Sequence, residues 1–174
     1  LKDHGLFLAA MQQVIGAVPG VYAVLVGEGL DDGNHVVASA KRDERTRGRI
    51  ISLGRRNDVA RLTAGLDVAC LTSLSEGFPN VIGEAMACEV PCVVTDAGAS
   101  RAIVGDTGIV VPIGDVNAFA DGVIRILRYS DTERRALGTR ARRRIMDEFS
   151  IDSVSATYSD LYRAIVGRHC ECAG

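Results

Sequence analysis

Short apolar runs that close on glycine or a polar residue alternate along this chain with longer segments whose apolar positions recur every three or four residues. The short runs are "YAVLVG" at 22–27, "RIISLG" at 49–54, "DVACL" at 67–71, "PCVVTD" at 91–96 and "GIVVP" at 108–112. Runs of this length, rich in β-branched residues, mark strands covered on both faces. Residues 4–17 place Leu6, Phe7, Ala10, Val14 and Ile15 at helical spacing, and Gly16, Pro19 and Gly20 end the pattern. A helix is expected between each strand and the next, including a charged surface helix with its connecting loop in 31–49. After Asp115 the character changes, and 116–128, 131–148 and 152–166 read as three amphipathic helices in succession. Repeated strand–helix–strand units with right-handed crossovers predict an α/β fold, a Rossmann-like doubly wound parallel sheet followed by carboxyl-terminal helices.

The 174 residues suffice for one domain with a full core and are too few for two large ones. With 20 basic against 22 acidic residues the net charge is -2, so no global field draws the chain to nucleic acid or an anionic membrane. The cluster Arg134, Arg135, Arg140, Arg142, Arg143 and Arg144 is interleaved with Glu133, Asp147 and Glu148 and lacks alternating aromatics, the pattern of a solvated helix face. Cys70, Cys88 and Cys92 sit in apolar patterns as small hydrophobes, which favours a reducing compartment. Cys170 and Cys172 are one residue apart, not the two of a zinc or redox pair, so a frayed tail is expected there. No apolar run approaches the roughly 18 residues of a membrane span and the first residues lack signal-peptide character, so the expectation is a cytoplasmic domain without a membrane span.

In an open parallel sheet a ligand sits outside the carboxyl ends of the strands. The loops there are Gly27-Glu28-Gly29-Leu30, Gly54-Arg55-Arg56-Asn57, Thr72 to Pro79, and Asp96 to Ser100. The third runs into "SEGFPNVIGEAMA", where Gly77 supplies backbone freedom, Pro79 is preset for a first helical position, and Asn80, Val81 and Ile82 open a helix. The early N–H groups of such a helix lack partners within it and offer directed donors to a phosphate without any Lys or Arg. Glu76 precedes the turn and Glu84 lies about one helical turn inside it. A carboxylate accepts on both oxygens and matches the neighbouring hydroxyls of a ribose or hexose. A helix end between two such carboxylates describes a receptor for a nucleotide sugar. The plainer alternative is that Glu76 complements the helix dipole and Glu84 is a solvated helix residue.

Glu76, seven intervening residues and Glu84, within "SEGFPNVIGEAMACEVPCVVTDAG", resemble the signature of retaining glycosyltransferases of family 4, which have the two-domain GT-B fold. "LKDHGLFLAA", "VGEG" at 26–29, "LGRRNDV" at 53–59, "LTSLSEG" at 71–77 and "GIVVPIGD" at 108–115 fall in family order, and Ser150 to Tyr162 resembles the closing helix. The resemblance implies that Glu84 holds the ribose diol and that Glu76 contacts hydroxyls of the transferred sugar. Gly77, Phe78, Pro79, Asn80 and Val81 would line the diphosphate with backbone donors. Lys2 matches the family's diphosphate lysine, Arg55 would border the base, and Gly27 and Gly29 would let their loop approach the ligand. The family's arginine partner of that lysine lies on a strand just upstream, and this chain begins after it. The amino-terminal domain that binds most of the acceptor is also outside it. The implied assignment is a carboxyl-terminal, donor-binding half of a GT-B enzyme that alone binds nucleotide weakly and transfers little or no sugar.

The implied reaction moves a glycosyl group from a nucleoside diphosphate sugar to an acceptor hydroxyl with retention, Lys2 and the helix start taking up charge on the departing diphosphate. The nucleotide sugar is substrate, and neither a cofactor nor a metal is expected. Asp31 and Asp32 are adjacent acids in a charged loop and are not assigned to metal. Of the rival enzyme readings, a dinucleotide-binding dehydrogenase would need its third glycine where Asp32 stands. A sugar-nucleotide epimerase or glycogen-synthase relative shares the architecture without accounting as well for "EGFPNVIGEAMA". A noncatalytic carbohydrate- or nucleotide-binding domain is the reading from another class; its mark would be loss of polar groups at the strand ends, where Lys2, Arg55, Glu76 and Glu84 stand.

Overall fold

A computed structural model describes the backbone of residues 2–171 and the side chains of residues 2–166. The expected alternation is present: α1 (His4–Ala17), β1 (Ala23–Leu25), α2 (His35–Arg42), β2 (Ile50–Ser52), α3 (Val59–Ala64), β3 (Ala69–Leu71), α4 (Asn80–Ala87), β4 (Cys92–Thr95), α5 (Ser100–Val104) and β5 (Ile109–Val111). Then come the helices α6 (Val116–Leu127), α7 (Asp131–Phe149) and α8 (Ile151–Glu171). Local chemistry starts several helices. The Asp3 carboxylate accepts from Leu6 N–H at 2.9 Å, Asn34 Oδ1 from Val36 N–H at 3.0 Å, and Asp115 Oδ1 from Ala118 N–H at 2.8 Å. Ser130 and Glu133 form a reciprocal capping box on α7. α8 runs through Cys170, where a frayed tail was expected, while Cys172 and the side chains of both cysteines lie outside the described residues.

All strand pairs are parallel, but the single continuous sheet expected from the sequence is divided. β1 pairs with β2, and β3, β4 and β5 form a second sheet in that order. Between β1 and β3 lies a cavity of about 1220 Å³. Side-chain alternation along β4 separates two apolar layers. Val93 joins Leu6, Val14, Leu25, Val37, Phe119 and Ile126 on the side of α1 and α6. Cys92 and Val94 join Leu71, Ile82, Met86, Ile103 and Ile145 under α4, α5 and α7. α7 closes on the turn after α4 at Gly138, where a Cβ would lie 1.9 Å from the Glu89 carbonyl oxygen.

The α7 arginines do more than solvate a helix face. Arg144 Nε and Nη2 donate to the carbonyls of Ile103 and Ala102 at 2.9 and 2.7 Å, and its Nη1 meets Glu148 at 2.8 Å. Arg142 donates to Ala87 O at the end of α4, and Arg140 holds Asp106. Arg134 reaches Leu127 O, Tyr129 O and the Asp131 carboxylate. These guanidinium groups satisfy helix-terminal carbonyls and complement the negative ends of the α4 and α5 dipoles. Arg143 fits the solvated reading, with its nearest carboxylate, Asp147, 3.8 Å away. α8 leaves Tyr158, Leu161, Tyr162 and Val166 exposed. Arg144→Ala should therefore lower stability by about 1.5–3 kcal/mol, the range for hydrogen bonds to a charged donor, in urea unfolding followed by circular dichroism. Arg143→Ala should shift it by less than about 0.5 kcal/mol.

Candidate functional site

The loop after β3 carries Glu76 and is held from three directions. From β4, the Thr95 hydroxyl, 1% exposed, donates to Ser73 O at 2.6 Å. From the chain start, Asp3 N–H donates to Thr72 O at 2.9 Å while the Thr72 hydroxyl donates to Asp3 O at 2.7 Å. Lys2 thereby pairs antiparallel with Ser73. From the loop after β4, Ala99 N–H donates to Gly77 O at 3.1 Å. Gly98 has φ +56°, and a Cβ there would stand 1.9 Å from Glu76 O, an approach open only to glycine.

Within this frame the Ser73 hydroxyl donates to Glu76 Oε1 at 2.6 Å, which fixes one oxygen of a half-buried carboxylate. Pro79 sits at the N-cap of α4, one position before the first-turn place expected for it, and offers no side-chain acceptor. The exposed Asn80 and Val81 open the helix, so its amino end faces solvent without a side-chain cap. Glu84 is exposed one turn in, and among the described residues its carboxylate has no hydrogen bond or ion pair. The Phe78 ring lies 5.9 Å from the Phe149 ring at the end of α7, which anchors the loop. Lys2, Glu76, Gly77, Phe78, Pro79, Asn80, Val81 and Glu84 thus belong to one continuous rim.

The second group of expected site residues lies at the ends of β1 and β2. Gly27 N–H donates to Gly54 O at 2.9 Å, and Asn34 Nδ2 to Gly29 O at 2.9 Å. Arg55 is exposed, whereas its neighbour Arg56 is held by Asp58 at 2.8 Å. Among the described residues no hydrogen bond or ion pair joins this group to the Glu76 rim. Asp32 pairs with Lys41, and Asp31 accepts from Gly33 N–H, so both acids have local partners. Sequence reasoning named the Asp96 to Ser100 loop but not Gly98 within it, nor Ser73 and Thr95. The glycine after "PCVVTDA" carried that signal; the two hydroxyls carried none, because their roles depend on strand register.

The folded chain is a doubly wound α/β domain with an uncapped helix end and two carboxylates at the carboxyl rim of its strands. It belongs to a known family. Residues 1–129 match the family described as Glycosyl transferases group 1, and the chain is a member of it. It is 35% identical over 116 residues to N-acetyl-alpha-D-glucosaminyl L-malate synthase of Bacillus anthracis, covering 66% of this chain and 30% of that protein. It is 30% identical over 171 residues to the phosphatidyl-myo-inositol mannosyltransferase of Mycolicibacterium smegmatis, covering 95% and 42%. The chain therefore spans less than half the length of these relatives. Among solved structures it is similar to HepE of Anabaena in complex with UDP, with TM-score 0.80 and 25% identity over 94% of this chain and 45% of that one. The C-terminal domain of the group 1 glycosyl transferase LpcC from Francisella tularensis gives TM-score 0.71 and 25% identity, over 86% of this chain and 80% of that one. The expected GT-B-type α/β fold is thus present. Among the described residues no helix is long and apolar enough to cross a membrane.

Two outcomes follow from this geometry. Gly98→Ala should cost about 1–3 kcal/mol from the left-handed backbone alone, with a further loss from the clash with Glu76 O, measured by urea unfolding; unchanged stability would contradict the close approach. Burial, with the Lys2 charge adding to it, lowers the His4 pKa against the opposing pull of Asp3. The unfolded chain then takes up a proton near pH 6.5, above the folded value. His4's contribution is fully present above about pH 6.5 and is lost as pH falls through the lowered folded pKa. Thermal stability should decline across that interval, and His4→Gln should flatten the decline.

Proposed function

We propose that this chain is the donor-binding, carboxyl-terminal half of a retaining glycosyltransferase. It would move a sugar from a nucleoside diphosphate sugar to an acceptor hydroxyl. The observation that carries the reading is the uncapped start of α4 directly after the Glu76–Gly77 loop, with Lys2 tied to Ser73 on the same rim. The backbone N–H groups at Asn80 and Val81 present partial positive charge to the diphosphate, and Lys2 adds a full one. Both act on charge that grows as the glycosidic bond breaks, so they stabilise the transition state more than the bound donor. Glu76, with one oxygen engaged by Ser73, orients hydroxyls of the transferred sugar. Glu84 accepts from the ribose diol, Arg55 borders the base, and Gly27 and Gly29 bring their loop to the ligand.

The relatives' names support the class, since each that is cited transfers or joins a sugar, and the HepE complex holds UDP. The likeness to the LpcC C-terminal domain over 80% of that chain supports the placement as a carboxyl-terminal half. On this reading the acceptor is bound mainly by an amino-terminal domain of a longer protein, and neither metal nor cofactor takes part. Calorimetric titration with UDP, GDP and ADP tests it. One nucleotide should bind, weakly, and Glu84→Ala should weaken that binding by about 10- to 150-fold, the worth of 1.5–3 kcal/mol of charge-assisted hydrogen bonding. The chain alone should show no glycosyl transfer. Binding unaffected by Glu84→Ala would remove the ribose assignment, and transfer by the chain alone would contradict the division of labour.

A further inference from the structure

Two hydroxyls in succession follow β3, and each serves a different part of the rim. The Ser73 hydroxyl holds Glu76 Oε1. The Thr72 hydroxyl, on a residue 6% exposed, donates to Asp3 O at 2.7 Å, while Thr72 O accepts from Asp3 N–H at 2.9 Å. These two bonds close a ring that fixes both the donor and the acceptor of the Asp3 main chain. Helix α1 starts without needing that ring. Asp3 O also accepts from Phe7 N–H at 3.2 Å, and the Asp3 carboxylate caps Leu6 N–H. The Thr72 hydroxyl is therefore a second donor on a carbonyl that already has its helical partner, using the other lone pair. What the ring adds is control of the preceding residue. Lys2 stands antiparallel to Ser73 and is exposed. Among the described residues its ammonium has no hydrogen bond or ion pair. The stem of a lysine is flexible, so the region its charge can reach is set by where its main chain is held. Ser73 thus faces Lys2 through its backbone and Glu76 through its hydroxyl, and the register of cation and carboxylate is set at one residue.

We propose that Thr72 is a positioning residue for Lys2: its hydroxyl holds Lys2 in register with Glu76, so that the ammonium meets the diphosphate of a nucleoside diphosphate sugar while the carboxylate meets the sugar. The inference rests on the donor reading above and adds to it a residue that touches no ligand. The glycosidic bond lies between diphosphate and sugar. One charge must take up leaving-group charge while the other orients the ring, so their separation has to be fixed before the bond breaks. A main-chain bond alone leaves Asp3 free to pivot about it, and the Thr72 hydroxyl removes that freedom. Thr72→Val keeps the branched side chain and the carbonyl that accepts from Asp3 N–H, and removes the hydroxyl alone. Lys2 then ranges over positions away from the second phosphate.

The test compares UMP with UDP, GMP with GDP and AMP with ADP in amide chemical-shift titrations of the chain. The ratio of diphosphate to monophosphate affinity isolates the contact made by Lys2, whereas a general loss of stability lowers both affinities together. Thr72→Val should reduce that ratio by about 3- to 10-fold, the worth of one hydrogen bond, and Thr72→Ser should restore it. In a Lys2→Met background Thr72→Val should leave the ratio unchanged, because the residue acts through the lysine. Thr107→Val removes a comparably buried hydroxyl, bonded to Val104 O at 2.7 Å near the amino end of β5, and should leave the ratio at the parent value. A ratio unmoved by Thr72→Val, or moved as much by Thr107→Val or in the Lys2→Met background, overturns the proposal and leaves the donor reading standing. So does a parent chain that binds the diphosphate no more tightly than the monophosphate. Absence of binding in all three series contradicts the donor reading itself, and the assignment of Thr72 with it.

Discussion

The backbone approach between Gly98 and Glu76 is the constraint on which the site depends. A left-handed glycine lets the loop after β4 lie against the loop after β3, and the Ala99–Gly77 hydrogen bond locks that contact. The buried Thr95 hydroxyl on Ser73 O sets the height of the same loop above the sheet. Glu76 then has its position determined by main chain rather than by side-chain packing, and Ser73 fixes its rotamer. Preorganised main chain suits a site that must hold donors at fixed points while charge develops on a ligand. The same loop delivers the chain into α4, so placing Glu76 also places the helix end.

Charge is handled locally throughout. The net charge of -2 gives no general attraction for a phosphate, and Arg140, Arg142 and Arg144 of α7 are engaged by carbonyls and carboxylates of neighbouring elements. What faces the rim is a helix amino end, backbone N–H groups and Lys2. Such dipolar donors bind an anion without requiring a buried formal charge, which would carry a desolvation cost. Two carboxylates can therefore stand beside such a helix end and remain available to hydroxyl groups.

Much of the fold could be read from the sequence because each element carried its own signal. α1 spans the residues that its apolar spacing and the Gly16–Gly20 stop indicated, and all five short apolar runs contain strands. The rim residues from Glu76 to Glu84 were legible through a motif confined to thirteen positions, 75–87, where a turn and a helix start coincide. Pairing was not legible. Nothing in "YAVLVG" or "DVACL" states which strand lies alongside, so the division into two sheets emerged only from the structure. The docking of Arg142 and Arg144 on α4 and α5 was hidden for the same reason: a helix–helix contact across the fold leaves no local pattern. Gly98, Ser73 and Thr95 matter through register, which single-sequence periodicity does not encode.

The central claim is that the rim formed by Glu76, Gly77 and the start of α4 receives a nucleoside diphosphate. Amide chemical-shift mapping of the isotopically labelled chain during titration with UDP, with GDP and ADP in parallel, tests it at residue resolution. The account predicts that the largest shifts fall on Gly77, Asn80, Val81 and Ile82, with Gly98 and Ala99 following because they are bonded to the same loop. Shifts confined to another surface, or none at these amides with any of the three nucleotides at millimolar concentration, would contradict it.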